Sequence, residues 1–157
     1  MAGEIVDMAS AHKFRIAVIA DTHDRLPDTV TKAIESADEI WHLGDVTSEE
    51  IIKRLAALGP RVRVVRGNCD ENPDWPMEET VVLRSLRFRL IHIPPKSVPL
   101  GIDVLLHGHT HVPRDEKTGG VRFLNPGTVG KANKGVPPSY AWLTIDAAGL
   151  TWDVVRV

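Results

Sequence analysis

The first half of the chain alternates short apolar segments with segments of helical periodicity, and this alternation limits the folds that it can adopt. The apolar segments predict three strands, at Lys13–Ala20, Glu39–Leu43 and Arg61–Arg66. A β-α-β-α-β order favours parallel strands joined by crossovers, with the helices packed on the sheet. Strands buried in this way consist of nearly continuous apolar sequence, as the first segment does.

Two segments between these strands predict helices. After a start at Asp28, apolar residues follow at helical spacing: Val30, Ala33, Ile34 and Ala37. In the second segment, Thr47 and Glu50 have the spacing of a capping box. The apolar face of that helix consists of Ile51, Ile52, Leu55 and Leu58. Gly59 and Pro60 end it.

The second half of the chain predicts mainly strands, with a turn at Ala147–Gly149. These strands are Val81–Leu83, Leu86–Ile93, Ile102–Leu106, Val121–Leu124, Tyr140–Ile145 and Thr151–Val157. We therefore expect an α/β fold of two packed mixed β-sheets flanked by helices. Its single domain spans residues 13–157, after a flexible N-terminal extension at residues 1–12.

Composition excludes several classes of protein. A single cysteine, Cys69, excludes an internal disulfide and a cysteine-rich zinc module. A formal net charge of −2 predicts no bulk affinity for nucleic acid or for an anionic membrane surface. The apolar run Ile16–Ala20 is far shorter than the ~20 residues that cross a bilayer, and Met1–Lys13 lacks the apolar core of a signal peptide. We therefore expect a cytoplasmic protein without a membrane partner, and leave a homo-oligomer open.

Polar side chains follow each of the three predicted parallel strands. Asp21 and His23 follow the first strand, Asp45 the second and Asn68 the third. Ligands bind beyond the carboxyl ends of the strands in open α/β sheets, so we expect these side chains at one edge. Asp21 and His23 project the same way in extended backbone, and the two oxygens of Asp45 can bridge metal ions ~3.5–4 Å apart. The alternative for each segment is an ordinary turn.

Three histidines alternate at His107, His109 and His111, which is the strongest indication of a metal site. Because at most one face of a strand end is buried, such an alternation is rarely structural throughout, and we interpret His109 and His111 as ligands. His107 is expected within the strand, beside the ligands or in the packing. His92 faces inward at the end of its strand, where a ligand and a hydrogen-bonded core histidine are both open interpretations. We interpret His42 as structural.

The combined set contains two carboxylates, four imidazoles and one amide: Asp21, His23, Asp45, Asn68, His92, His109 and His111. These ligand types suit two borderline or hard divalent ions such as Mn²⁺, Fe²⁺ or Zn²⁺. Two such ions outweigh two carboxylates, so the centre attracts anionic oxygens and lowers the pKa of a bound water. In-line attack of the resulting hydroxide on a phosphate ester is the reaction that this arrangement serves.

At these residues the sequence resembles the calcineurin-like metallophosphoesterases, whose motifs are D-x-H, G-D, G-N-H-D/E, a lone His and G-H-x-H. The corresponding residues here are Asp21-x-His23, Gly44-Asp45, Gly67-Asn68-Cys69-Asp70, His92 and Gly108-His109-Thr110-His111. The segment Asn125-Pro126-Gly127-Thr128 is similar to the N-P-G-S/T segment of the small bacterial and archaeal phosphodiesterases in that superfamily. The resemblance runs from about Lys13 to the C-terminus, with the motifs in order.

The resemblance implies an αββα sandwich and the hydrolysis of phosphomonoesters or phosphodiesters, and we predict a phosphodiesterase acting on a small phosphoester. The resemblance also implies which residues bind each ion. Asp21, His23 and His111 would bind one ion, Asn68, His92 and His109 would bind the other, and Asp45 would bridge them. Asn68 is also a candidate for contact with the substrate. Mn²⁺ is the expected metal, with Zn²⁺, Fe²⁺ and Ni²⁺ as alternatives.

Two departures from the family's pattern affect the chemistry. Cys69 stands where many relatives have the histidine that is credited with protonating the leaving group. A thiol with a pKa of about 8.5 is a different acid, so leaving groups that need no proton are favoured, and Asp70 is a substitute candidate. The segment at residues 93–108 is shorter than the corresponding family segment and begins with Ile93-Pro94-Pro95, so we expect a more open site.

Two other functions are compatible with parts of the sequence. A catalytically silent scaffold of the same fold, like the retromer subunit that resembles these enzymes, need not keep a full ligand set, whereas this chain keeps all seven residues. An amidohydrolase could use His109 and His111, but its barrel has ~250 residues, more than the 157 of this chain. The tryptophans are expected in the core or in oligomer contacts rather than as platforms for nucleic-acid bases: Trp41, Trp75, Trp142 and Trp152.

Overall fold

A computed structural model describes residues 4–6, 13–131 and 135–157 as two β-sheets and two helices. The helices are α1 (Asp28–Ile34) and α2 (Glu49–Ala56). The strands are β1 (Glu4–Val6), β2 (Phe14–Ile19), β3 (Glu39–His42), β4 (Arg61–Val64), β5 (Glu78–Leu83), β6 (Leu86–Ile91), β7 (Val104–Leu106), β8 (Arg114–Thr118), β9 (Val121–Asn125), β10 (Ser139–Asp146) and β11 (Gly149–Arg156). The prediction of two packed mixed sheets is confirmed.

The five-stranded sheet has the order β11-β10-β2-β3-β4, and its β2, β3 and β4 run parallel, as the β-α-β-α-β pattern predicts. The hairpin of β10 and β11 extends this sheet antiparallel to β2. Both helices pack on its outer face, where alternate strand residues meet the apolar sides of the helices. The buried residues of this contact include Ala17, Ile19, Ile40, Val30, Ile34, Ile51 and Leu55.

The six-stranded sheet has the order β1-β5-β6-β7-β9-β8 and packs against the inner face of the five-stranded sheet. At the centre of the interface, Trp41 and Phe88 make an edge-to-face contact with ring centroids 5.8 Å apart. Within the described part of the chain, helices flank only the five-stranded sheet. No described helix is long and apolar enough to cross a membrane.

A buried ion-pair group links the two sheets. Arg63 on β4 donates through Nε to Glu39 Oε1 at 2.6 Å and through Nη1 to Glu79 Oε1 at 2.9 Å. Arg63 is 3% exposed and Glu39 is 5% exposed, and Trp41 Nε1 donates a further hydrogen bond to Glu39. Because Glu79 lies on β5, this cation connects the five-stranded sheet with the six-stranded sheet.

Three local features differ from the sequence-based expectations. Glu4–Val6, which we expected in a flexible extension, forms β1 and pairs parallel with β5, because the edge of that sheet offers backbone hydrogen bonds to a short apolar stretch. The other residues of the extension lie outside the described residues. The polar strand β8 lacks an apolar alternation and was not predicted. The N-cap of α2 is Ser48, whose hydroxyl accepts a hydrogen bond from Glu50 N at 3.2 Å. Thr47, the predicted cap, lies one residue before Ser48 and has a φ of 66°.

We expect Arg63→Met to lower the free energy of unfolding by about 3–5 kcal/mol, because the substitution leaves the Glu39 carboxylate buried without its cation. Urea denaturation of the purified variants would measure this. The exposed Arg87→Met is the control, with an expected change within about 0.5 kcal/mol. Adding Glu39→Gln to Arg63→Met should recover part of the loss. An Arg63→Met variant as stable as the control would contradict a stabilising role for this ion-pair group.

Candidate metal centre

The seven predicted ligands meet at one edge of the sandwich, where five strands end. Three groups of potential ligand atoms lie there, with the atoms within each group no more than 4.8 Å apart. The first group is Asp21, His23 and His111, the second is Asp45, His92 and His109, and the third is His23, Asp45 and Cys69. Asn68 joins the second group, because its Oδ1 lies 3.0 Å from His109 Nδ1.

The carboxylates face imidazoles at short distances. Asp21 Oδ1 lies 3.3 Å from His111 Nε2, and Asp45 Oδ2 lies 3.3 Å from His92 Nε2 and 3.6 Å from His23 Nε2. Asp45 therefore contacts imidazoles of both of the first two groups. A carboxylate in that place can hold two cations at once.

Several of these ligand atoms are buried without a hydrogen bond: Asp21 Oδ1, His23 Nε2 and His92 Nε2. Buried polar atoms are nearly always satisfied, so three such atoms turned towards one another indicate a missing partner. A divalent cation would satisfy all of them, because carboxylate oxygens and imidazole nitrogens are both metal ligands. The residues present therefore fit the metal centre that the sequence predicts.

His92 is held with one nitrogen directed into the site. Its Nδ1 lies 2.7 Å from the backbone oxygen of Leu43. Because a carbonyl oxygen can only accept, Nδ1 carries the proton and donates it. Nε2 then faces the carboxylates and is the nitrogen that can bind a metal ion when it carries no proton. The contact explains both of our interpretations of this residue, since one nitrogen makes the core hydrogen bond and the other faces the site.

The carboxylates have strongly perturbed pKa values. Burial raises the pKa of Asp21 to about 7, against the opposing effect of the nearby His92. Burial would also raise the pKa of Asp45, but the His92 imidazole and the Cys69 N–H outweigh it and lower that pKa. Burial would lower the pKa of His92, but the facing carboxylates of Asp45 and Asp21 raise it. These opposed shifts come from ligands that face each other across a few ångströms.

His42 lies below the site and connects two of its loops, as a structural histidine. Gly44 N donates to His42 Nδ1 at 3.1 Å, so the ring proton is on Nε2, which lies 3.1 Å from Thr22 Oγ1. The Thr22 hydroxyl donates in turn to Val46 O at 3.3 Å. Burial lowers the pKa of His42 to about 3, which keeps the ring neutral. Sequence reasoning did not identify Thr22, which lies between two ligands and has no motif of its own.

Asp70 binds backbone amides rather than facing open solvent. Its Oδ2 accepts from Asp45 N and Gly67 N, and its Oδ1 accepts from Thr47 N, each at 2.8 Å. The carboxylate thus joins the loop after β3 to the loop after β4. These contacts favour a positioning role for Asp70 over the role of proton donor that the sequence left open.

A second hydrogen-bond network supports the loop that carries His109. Asn125 donates through Nδ2 to Gly108 O at 3.2 Å and to Thr110 Oγ1 at 3.0 Å, and its Oδ1 accepts from Gly127 N. His107 is buried, and its Nδ1 lies 2.9 Å from Gly108 O. Burial lowers the pKa of His107 to about 4. The packing role expected of His107 agrees with these contacts.

Five of the seven predicted ligands adopt a left-handed backbone conformation. Positive φ angles occur at Asp21 (55°), His23 (44°), Asp45 (56°), His109 (72°) and His111 (66°). Such conformations cost of order 1–3 kcal/mol each in residues other than glycine and concentrate at functional sites. Glycine is required beside them at position 44, where φ is 98° and a Cβ would lie 2.7 Å from His92 Nδ1.

The family model described as the calcineurin-like phosphoesterase superfamily domain matches residues 14–148. The chain belongs to this superfamily. This phosphoesterase is 34% identical over 159 residues to a probable metallophosphoesterase from Methanothermobacter thermautotrophicus. The alignment covers 90% of this chain and 91% of the relative. It is 30% identical over 162 residues to phosphodiesterase YfcE from Escherichia coli, covering 84% and 88%.

A solved structure of vacuolar protein sorting 29 from Cryptosporidium parvum has the same fold, with a TM-score of 0.74 and 22% identity. The alignment covers 92% of this phosphoesterase and 98% of that chain. The predicted family and the prediction of a metal-dependent phosphoric ester hydrolase are confirmed by the family model and by the names of the relatives.

We expect Asp70→Asn to lower the free energy of unfolding of this phosphoesterase by about 1–3 kcal/mol. The carboxylate uses both oxygens to accept three N–H groups, whereas an Asn side chain has only one acceptor oxygen. Thermal denaturation would measure the loss, with Asp74→Asn on the same loop as control. Phosphodiesterase activity should fall by the same factor for good and poor leaving groups. A loss confined to poor leaving groups would instead make Asp70 the proton donor.

Proposed function

We propose that this phosphoesterase is a dinuclear metal-dependent phosphodiesterase. Asp21, His23 and His111 would hold one divalent ion, and Asn68, His92 and His109 would hold the other. Asp45 would be shared between the two ions. The observation that carries the proposal is the set of buried, unsatisfied atoms on Asp21, His23 and His92, because the fold leaves them no other partner among the described residues.

Two ions suit this site better than one. The groups Asp21–His23–His111 and Asp45–His92–His109 each supply three ligand atoms within 4.8 Å, enough for one ion each. Asp45 Oδ2 also lies 3.6 Å from His23 Nε2 of the other group, so its carboxylate is placed to be shared. Two carboxylates against two divalent ions leave a net positive centre, which favours a phosphate over a neutral substrate.

When bound, such ions activate a water molecule for in-line attack on phosphorus and neutralise the phosphate charge. The side chains of the chain fix the geometry. Leu43 O orients the His92 ring, and the His109 N–H donates to Asp21 Oδ2 at 3.1 Å, which fixes the other carboxylate oxygen towards the site. The amide of Asn68 lies at the exposed side, where it can also contact a phosphate oxygen.

The identity of the metal, the class of substrate and the place of action are part of the same proposal. We propose Mn²⁺ as the metal, with Zn²⁺, Fe²⁺ and Ni²⁺ as alternatives, because imidazoles and carboxylates together suit all of them. The substrate is a small phosphoester, and the place of action is the cytoplasm. Neither nucleic acid in bulk nor a membrane is proposed as a partner.

Metal-stripped protein should hydrolyse bis(p-nitrophenyl) phosphate only after Mn²⁺ is added, and Asp45→Asn should lose at least ~100-fold in kcat/KM because it loses the bridge. Calorimetric titration with Mn²⁺ should give two ions per chain for the wild type. His111→Ala should then titrate with one ion. Wild-type protein that binds a single ion would overturn the dinuclear proposal even if it is active.

A second candidate is a catalytically silent scaffold that binds protein partners, and the likeness in fold to vacuolar protein sorting 29 favours it. The two candidates differ in one measurement. Protein that binds metal tightly but hydrolyses no ester with any of the four metals would favour the scaffold.

The thiol of Cys69 is a poor proton donor, so we expect leaving groups that need no proton to be preferred. Burial and the carboxylates of Asp45 and Asp70 raise the pKa of its thiol, which makes it a weak acid at neutral pH. We expect Cys69→Ala to change kcat/KM for bis(p-nitrophenyl) phosphate by less than about threefold, because p-nitrophenolate leaves without a proton. Rates across a series of aryl diesters should fall steeply as the leaving-group pKa rises. A loss in the variant confined to alkyl leaving groups would show that the thiol donates a proton.

A further inference from the structure

Two cavities of different character border the proposed metal centre. The larger, here the Trp75 cavity, has a volume of about 540 Å³, and its lining includes Cys69, Glu49, Glu71 and Trp75. The smaller, here the Met77 cavity, has about 180 Å³. Its lining includes Asn68, Met77, Ile91, His92 and Ile93. The adjacent residues Asn68 and Cys69 therefore line different cavities.

Each cavity is lined by a residue that contacts the buried Asp45. The Cys69 N–H on the side of the Trp75 cavity donates to Asp45 Oδ1 at 2.8 Å. His92 Nε2 on the side of the Met77 cavity lies 3.3 Å from Asp45 Oδ2 and is buried without a hydrogen bond. A phosphate bound at the proposed metal centre would thus lie between the two cavities, with one for each of its two ester groups.

The Trp75 cavity suits an uncharged ring with hydrogen-bonding groups. Trp75 packs in part against the core beneath the helices, so its indole is a fixed aromatic wall. Glu49 and Glu71 make the remaining wall acidic, and no described lysine or arginine lines it. An anionic substituent is therefore disfavoured. The volume lies within the range of small-molecule sites.

The Met77 cavity suits a small apolar group. Its walls are mainly Met77, Ile91 and Ile93, and it is below the size of a typical small-molecule site. Arg66 Nε donates to Met77 Sδ at 3.2 Å, which holds the thioether in the wall.

We propose that the site is selective for unsymmetrical phosphodiesters, with an uncharged, ring-containing alcohol of nucleoside size in the Trp75 cavity and a small apolar alcohol in the Met77 cavity. This inference rests on the proposed phosphodiesterase function. It makes Trp75 a determinant of specificity, whereas the sequence alone suggested only a core or oligomer residue.

The test compares two diesters with the same leaving group in Mn²⁺-loaded protein: thymidine 5′-(p-nitrophenyl phosphate) and methyl p-nitrophenyl phosphate. The wild type should prefer the thymidine ester in kcat/KM. In Trp75→Ala the ratio of the two kcat/KM values should fall about tenfold, mainly through KM, as expected for the loss of one base–aromatic stack. Trp142→Ala, which removes an indole packed on the same core cluster, is the matched control and should leave the ratio unchanged.

A second comparison tests the acidic wall and the small cavity. A 3′-phosphate on the thymidine ester should lower kcat/KM, and Glu49→Gln with Glu71→Gln should reduce this discrimination. Met77→Gln should lower kcat/KM for the thymidine ester, because it adds a polar group to the wall of the cavity that would hold p-nitrophenyl when thymidine occupies the other cavity.

The outcomes separate this inference from the function on which it rests. Turnover of both diesters without a thymidine preference, or equal changes of the ratio in Trp75→Ala and Trp142→Ala, would overturn the inference and leave the phosphodiesterase function intact. No turnover of either diester with Mn²⁺, Zn²⁺, Fe²⁺ or Ni²⁺ would overturn both.

Discussion

The arrangement of the site depends on the burial of one carboxylate, Asp21, at the end of the central strand β2. Its side chain is 0% exposed and its Oδ1 makes no hydrogen bond. The same residue connects three other loops, because its N–H donates to Gly44 O, its backbone oxygen accepts from Thr128 Oγ1, and its Oδ2 accepts from the His109 N–H. A buried charge is costly unless it is paired, so a cation beside Asp21 would stabilise the ionised form that burial disfavours.

Backbone hydrogen bonds between the loops hold the ligands in conformations that they would not adopt alone. Asp21 N, His23 N and Asp24 N donate to Gly44 O, Asp45 O and Val46 O at 2.9–3.1 Å. This register aligns the loop after β2 with the loop after β3, although all of these residues except Val46 have positive φ angles. The buried His42 and Thr22 contacts reinforce the same pair of loops. The strain is therefore distributed over a rigid junction, and the ligands are positioned before any ion binds.

The sequence predicted the strands whose buried residues recur at a regular spacing. It did not predict the strands and hydrogen bonds that form only through contacts with distant parts of the chain. The buried parallel strands β2, β3 and β4 have a continuous apolar pattern, and each is followed by polar residues whose convergence at one edge is a property of the topology. The strands β1 and β8 have no such pattern, because they form by pairing with an existing sheet edge. The hydrogen bonds of Asp70 could not be predicted either. Its carboxylate accepts them from backbone amides of two loops that come together only in the fold.

The departures from the superfamily's motifs lie in the walls of the site and not among the proposed ligands. Cys69 borders the Trp75 cavity, and Ile93, at the start of the short segment that follows His92, borders the Met77 cavity. The ligands are constrained by strained backbone and by shared hydrogen bonds, so a change in one would disturb several loops. Met77 and Ile93 in the cavity walls are exposed, and exposed loop positions tolerate substitution more readily than buried ones. Substitutions that change which ester groups fit can thus occur at residues other than those that would hold the metal ions.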